Sequence, residues 1–169
     1  GDPQIKLTKP EQVQVIGGAP NQASNSTAES ANGEASSAKP FALKKAGSTT
    51  WVSPLGLRYS GRDPQGKTRV EHIMRHGVDQ PRRAGKHGVF MPGDQAAVFA
   101  LIDEAWQKAQ NSGLRARDER GRSVYNITMG RKVGYLGGTE GARRRKPALS
   151  KLRIVFETGT KNIVTAFPN

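Results

Sequence analysis

The sequence predicts an α+β domain with an antiparallel sheet, preceded by a flexible tail. Three observations lead there. Apolar residues recur at helical spacing between residues 94 and 110, they recur at spacing two in four segments beyond residue 122, and only Phe41 among the ten aromatic residues precedes Trp51. Helices first and a run of strands afterwards is the order of an α+β fold.

The tail is read from composition. From Ala19 to Ser37 the chain runs APNQASNSTAESANGEASS, with no aromatic residue and little that a core could bury, so it has too little apolar area to offset the entropy of ordering. We therefore expect a disordered or extended tail over residues 1–45 and a basic folded domain over residues 46–169. Within that domain Val70 to His76 reads as a short helix, with Gly77 placed to end it as a left-handed residue. A longer helix starts at Asp94, a good N-cap after Pro92-Gly93. Val98, Leu101, Ile102, Ala105, Trp106 and Ala109 then form one apolar face. Strands are predicted over Ser123–Met129, Lys132–Leu136, Lys151–Phe156 and Asn162–Phe167. The last two should form a hairpin around Glu157-Thr158-Gly159-Thr160-Lys161.

Charge narrows the function. In 169 residues there are 27 Lys+Arg against 14 Asp+Glu, a net charge of +13. Residues 1–50 hold five lysines and four carboxylates, so residues 51–169 carry +12 of it. Such a balance points away from enzymes of neutral metabolites and toward RNA or another polyanion. With no cysteine in the chain, a disulfide framework, a thiol nucleophile and a thiolate zinc site are excluded. No run approaches the ~18 apolar residues of a membrane helix. Gly1-Asp2-Pro3 at the start reads as a trimmed chain or as a processed one whose leader has been cut away, and a secreted or extracytoplasmic monomer, anchored through a removed N-terminal segment, is the expectation.

The candidate chemistry is concentrated. His72, His76 and His87 fall within a sixteen-residue window that also holds Arg75, Arg82, Arg83 and Lys86, with Arg69 three residues before it, and the chain has no other histidine. On a helix His72 and His76 stand one turn apart on one face. Imidazoles gain and lose protons near neutrality, which suits RNA cleavage: one takes the proton of the 2′-hydroxyl and one supplies a proton to the departing 5′-oxygen. Nearby cations hold the phosphate, and the reaction needs no metal or other cofactor. Against this stands the plain structural reading, in which a histidine bonds a backbone carbonyl and the arginines solvate a face. A zinc site on His72, His76 and His87 lacks a convincing carboxylate. Two further concentrations of charge, Gly130-Arg131-Lys132 and Arg143-Arg144-Arg145-Lys146, suit phosphate contact without base specificity. Tyr125 and Tyr135 could stack on bases, or belong to the core.

His72-Ile73-Met74-Arg75-His76-Gly77, followed after a long helix by strands that finish in Ile163-Val164-Thr165-Ala166-Phe167-Pro168, resembles the small ribonuclease domains grouped as the barnase, EndoU, colicin and RelE-like superfamily, the toxin tips of bacterial secreted proteins. The resemblance covers roughly residues 65–168. It implies N-terminal helices packed on a roughly four-stranded antiparallel sheet, metal-independent RNA cleavage, and a cognate inhibitor protein as partner. It makes His72 or His76 the acid/base, with Arg131, Lys132 and Thr165 as helpers on the sheet. His87 is a catalytic candidate outside the motif. Arg75, Lys86, Arg131, Lys132, Tyr135, Arg143, Arg144 and Arg145 are the candidate substrate-binding residues. The alternative is a catalytically silent extracytoplasmic module that docks on nucleic acid or another polyanion through the same basic face.

Overall fold

Three short strands, β1 (Lys44–Gly47), β2 (Thr50–Val52) and β3 (Arg58–Ser60), open the folded part as an antiparallel meander. The computed structural model describes residues 40–169, so the expected tail lies outside the described residues except for Pro40–Lys45. Phe41 and Leu43 pack against the core, and Phe41–Asn169 is one compact unit; the boundary expected after residue 45 thus falls inside β1. Nothing in the sequence marked these strands, because β1 is exposed along its whole length and none exceeds four residues.

Helix α1 (Arg69–Met74) starts at Thr68, whose hydroxyl accepts from the Glu71 N–H while the Glu71 carboxylate accepts from the Thr68 N–H. Val70 and Ile73 are its buried face, and a 3₁₀ turn, Arg75–Gly77, carries the chain on to His76 and Gly77. Gly77 is not left-handed as expected, since its φ is not among the positive values. It is a glycine for space: a Cβ there would stand 2.7 Å from the carbonyl oxygen of Gly93. Helix α2 (Gln95–Asn111) has the expected Asp94 cap, which accepts from the Ala97 N–H, and buries Val98, Phe99, Ile102, Ala105 and Ala109.

The remaining strands are β4 (His87–Phe90), β5 (Arg117–Glu119), β6 (Arg122–Thr128), β7 (Gly134–Gly137), β8 (Ala148–Leu149), β9 (Lys151–Glu157) and β10 (Ile163–Pro168), with α3 (Gly138–Arg143) between β7 and β8. The protein is α+β with three small antiparallel sheets: β10-β9-β6-β5, β1-β2-β3 and β4-β7-β8. The hairpin β9–β10 forms as expected, and its first strand, β9, sends Leu152, Ile154 and Phe156 inward. One expectation is corrected. The segment predicted as Lys132–Leu136 does not join that sheet; as β7 it pairs with β4 and β8, and Arg117–Glu119 takes the fourth place. The signal was missing because all four residues of β4 are buried, so β4 shows no alternation. The two sheets approach closely at the end of β10, where a Cβ on Gly88 would overlap the carbonyl oxygen of Pro168. Among the described residues no helix is long and apolar enough to cross a membrane.

Candidate active site

A cleft of about 500 Å³ is lined by His72, Arg75 and His76 from α1 and its 3₁₀ turn, Arg83 and Lys86 from the loop that follows, Arg144, and Thr165 and Phe167 from β10. The short helix puts two imidazoles one turn apart. What each ring can do is decided by its neighbours.

Asp63, in the turn before α1, has a fully buried carboxylate that accepts the Gln65 and Lys67 N–H groups at 2.9 Å each. Its other oxygen lies 2.7 Å from His72 Nδ1. Arg75 Nη2 comes within 3.0 Å of the same Nδ1, but one nitrogen cannot both donate to a carboxylate and accept from a guanidinium. The shorter contact takes the proton, so Nδ1–H donates to Asp63 and Nε2 is left for the cleft. The hydrogen bond from His72, with the two backbone N–H groups, lowers the Asp63 carboxyl to about 2. Burial lowers His72 from its ordinary 6.5, helped by the Arg75 charge and opposed by the Asp63 carboxylate.

His76 is held differently. Its Nδ1–H donates to the Gly88 carbonyl at 2.8 Å, and the ring lies stacked between His87, with centroids 4.6 Å apart, and Phe167, 5.1 Å away. Burial, only partly opposed by the Gly88 carbonyl, depresses it to about 4. His76 is therefore a neutral ring at pH 7 with Nε2 as its basic nitrogen. His87 is not in the lining. It is 1% exposed, its Nε2–H donates to the carbonyls of Arg75 and Val78 at 3.0 and 3.3 Å, and its Nδ1 is buried without a partner. It stands behind His76, against the ring face, and does not reach the cleft. The three histidines do not converge, and among the described residues no group of three or more His, Asp or Glu is placed to hold a metal ion.

The loop that brings in Arg83 and Lys86 is tied to the start of α3. Thr139 N–H donates to Arg83 O and Glu140 N–H to Gly85 O, each at 2.9 Å, and Gly138 N–H donates to Asp79 Oδ1 at 2.9 Å. Four cations, Arg75, Arg83, Lys86 and Arg144, thus line the cleft, and among the described residues no Asp or Glu does.

Of the other candidates, Arg131 and Lys132 stand elsewhere. They line a separate hollow of about 240 Å³ with Glu104, which accepts from both terminal nitrogens of Arg131 at 2.7 and 2.8 Å. They do not share the histidines' cleft as expected: they lead into β7, which pairs with β4 and β8 outside the four-stranded sheet. Arg143 is paired with Glu140. Arg145 is exposed at φ +64°, and Lys146 lies 3.9 Å from Asp79 and over the ring of Tyr135; neither Arg145 nor Tyr135 lines the cleft. Sequence reasoning missed Asp63, Phe167 and Asn169. Asp63-Pro64-Gln65-Gly66 is legible only as a turn, and Phe167 only as a strand residue. Comparison with protein-family models, curated proteins and solved structures returned no match.

Proposed function

We propose that the domain is an endoribonuclease working without metal in the His72/His76 cleft, in keeping with the barnase, EndoU, colicin and RelE-like domains that its motif resembles, with α1 and α2 as the helical layer on the four-stranded sheet. One observation carries the reading: two differently held imidazoles share one cleft with four cations, and no described Asp or Glu lines it. A ribose 2′-oxygen attacks the adjacent phosphorus as His76 Nε2 takes its proton. The bond to the 5′-oxygen breaks as that oxygen receives a proton from His72 Nε2. The products are a 2′,3′-cyclic phosphate and a 5′-hydroxyl.

The roles follow from the environments. A base must be unprotonated and an acid protonated in the same molecule, so the ring depressed further is the base. That ring is His76. His72 keeps a carboxylate behind it, which favours its imidazolium. Arg75, Arg83, Lys86 and Arg144 meet the charge that grows on the phosphoryl oxygens, and the Thr165 hydroxyl is a further donor. A secreted toxin module restrained by an inhibitor belongs to the same reading.

A labelled RNA incubated in EDTA with the parent, His72→Ala and His76→Ala tests it. The parent should cut RNA and leave DNA intact, since DNA lacks the 2′-hydroxyl. Each variant should lose ~10²–10⁴-fold in rate with RNA affinity nearly kept. A folded parent with no activity would leave polyanion binding as the better reading.

A further inference from the structure

The cleft is divided chemically according to the elements that line it. Residues from α1, the turn and loop after it and the end of α3 are histidines and cations, whereas Pro147 and Leu149 come from β8 and the residue before it, and Phe167 and Asn169 from β10 and the residue after it. A site for phosphate alone has no use for an apolar wall. Leu149 and Phe167 are each only half-buried, so part of their apolar surface is left for an occupant. A volume of about 500 Å³ falls in the range of pockets that enclose a whole small ligand, ~300–1,000 Å³. Thr165 and Phe167 alternate along β10 and share one face, and Asn169 follows two residues on, just past the end of the strand, so the wall begins beside the chemistry and runs away from it. Asn169 Nδ2 reaches Asn126 Oδ1 only at 3.5 Å, and that oxygen already accepts from Arg153 Nε at 3.1 Å. The Asn169 amide is thus weakly held, with a donor and an acceptor to offer.

We propose that Pro147, Leu149, Phe167 and Asn169 form a nucleobase subsite, which takes the base of the nucleotide whose phosphate lies among the cations. The base packs on Leu149 and Phe167 and presents its polar edge to the Asn169 amide. This rests on the RNA-cleavage reading for the phosphate, but not for the base.

The test compares binding of uridine, cytidine, adenosine and guanosine 3′-monophosphates with that of ribose 5-phosphate, which lacks a base, by titration calorimetry on the whole chain. At least one nucleotide should bind about tenfold more tightly than the sugar phosphate, a factor within reach of one base–aromatic stack. In Leu149→Ala and Asn169→Ala that ratio should fall toward one. The comparison on the unaltered chain does not depend on how either variant folds. Nucleotides that bind no better than ribose 5-phosphate overturn the subsite, even where RNA is cleaved. A ratio that survives in both folded variants overturns its location. A nucleotide preference without RNA cleavage keeps the subsite and removes the nuclease.

Discussion

His72 and His76 share a helical face, but one ring leans on a carboxylate and the other on a carbonyl between two aromatic rings. That difference gives a pH prediction. Activity as proposed needs His76 neutral and His72 protonated, so kcat/KM should rise with pH through the His76 value near 4 and fall as His72 deprotonates below its ordinary 6.5. In Asp63→Asn the anion that favours the His72 imidazolium is gone. The alkaline limb should therefore move to lower pH while the acidic limb stays, and at neutral pH the rate falls about tenfold for each unit moved. The pH–rate profile of RNA cleavage in EDTA measures this, and an unmoved alkaline limb would remove Asp63 from the mechanism. The histidine pair was legible from spacing alone. Asp63 was not, because its side chain meets His72 through the fold of the turn before α1, and nothing in a spacing of nine residues specifies that.

At the scale of elements, the basic run Arg143-Arg144-Arg145-Lys146 shows how little a charge cluster says about its members. It closes α3 and enters the turn before β8, so successive side chains diverge. Arg143 is spent on Glu140, Lys146 stands near Asp79, and Arg144 alone of the four lines the cleft. Arg144→Ala should weaken single-stranded RNA binding more than Arg143→Ala or Arg145→Ala, and should reduce the log–log salt slope by ~0.7, the loss of one phosphate contact. Fluorescence anisotropy across a salt series reads both. Equal losses at the three positions would mean a diffuse basic face instead of a site. The long helix α2 and the hairpin β9–β10 were legible because each is long, periodic and half-buried. Strands β1 to β4 were not: none exceeds four residues, and β1 is wholly exposed, β2 uniformly half-buried and β4 wholly buried, whereas periodicity needs length and contrast.

For the whole molecule, two buried groups titrate in opposition. His76 is held neutral in the fold down to about 4, while in the unfolded chain it charges below about 6.5. Its contribution to stability is therefore present above pH 6.5 and lost as pH falls toward 4. Asp103, on α2, has a carboxyl raised by burial to about 6; Leu55 N–H donates to one oxygen and the other is buried without a partner, as is the Tyr59 hydroxyl. It keeps its proton in the fold where the unfolded chain has lost it, so its contribution is present below pH 4 and lost as pH rises through 6. Each amounts to about 3 kcal/mol when fully developed, and between pH 4 and 6 they offset one another. Asp103→Asn removes one side of the balance. Urea unfolding of that variant should show stability climbing from pH 4 to 6.5 where the parent stays nearly level, with the variant gaining on the parent as pH rises. Parallel curves would mean that Asp103 ionises freely in the fold.

The α+β class, α2, the β9–β10 hairpin, the strongly basic balance and the placing of His72 and His76 one turn apart were all determined by the sequence by itself, because each rests on local periodicity, composition or spacing within a few residues. Tertiary structure alone decided which cations join those histidines. Arg131, paired with Glu104, and Lys132 line a separate hollow, whereas Arg83, Lys86 and Arg144 are brought to the cleft by the bonds between the loop and α3. It also set the two rings apart in basicity, through Asp63 behind one and the His87–Phe167 stack around the other. Both outcomes depend on contacts between segments distant in the chain, where a shift of one strand between sheets re-aims every side chain it carries.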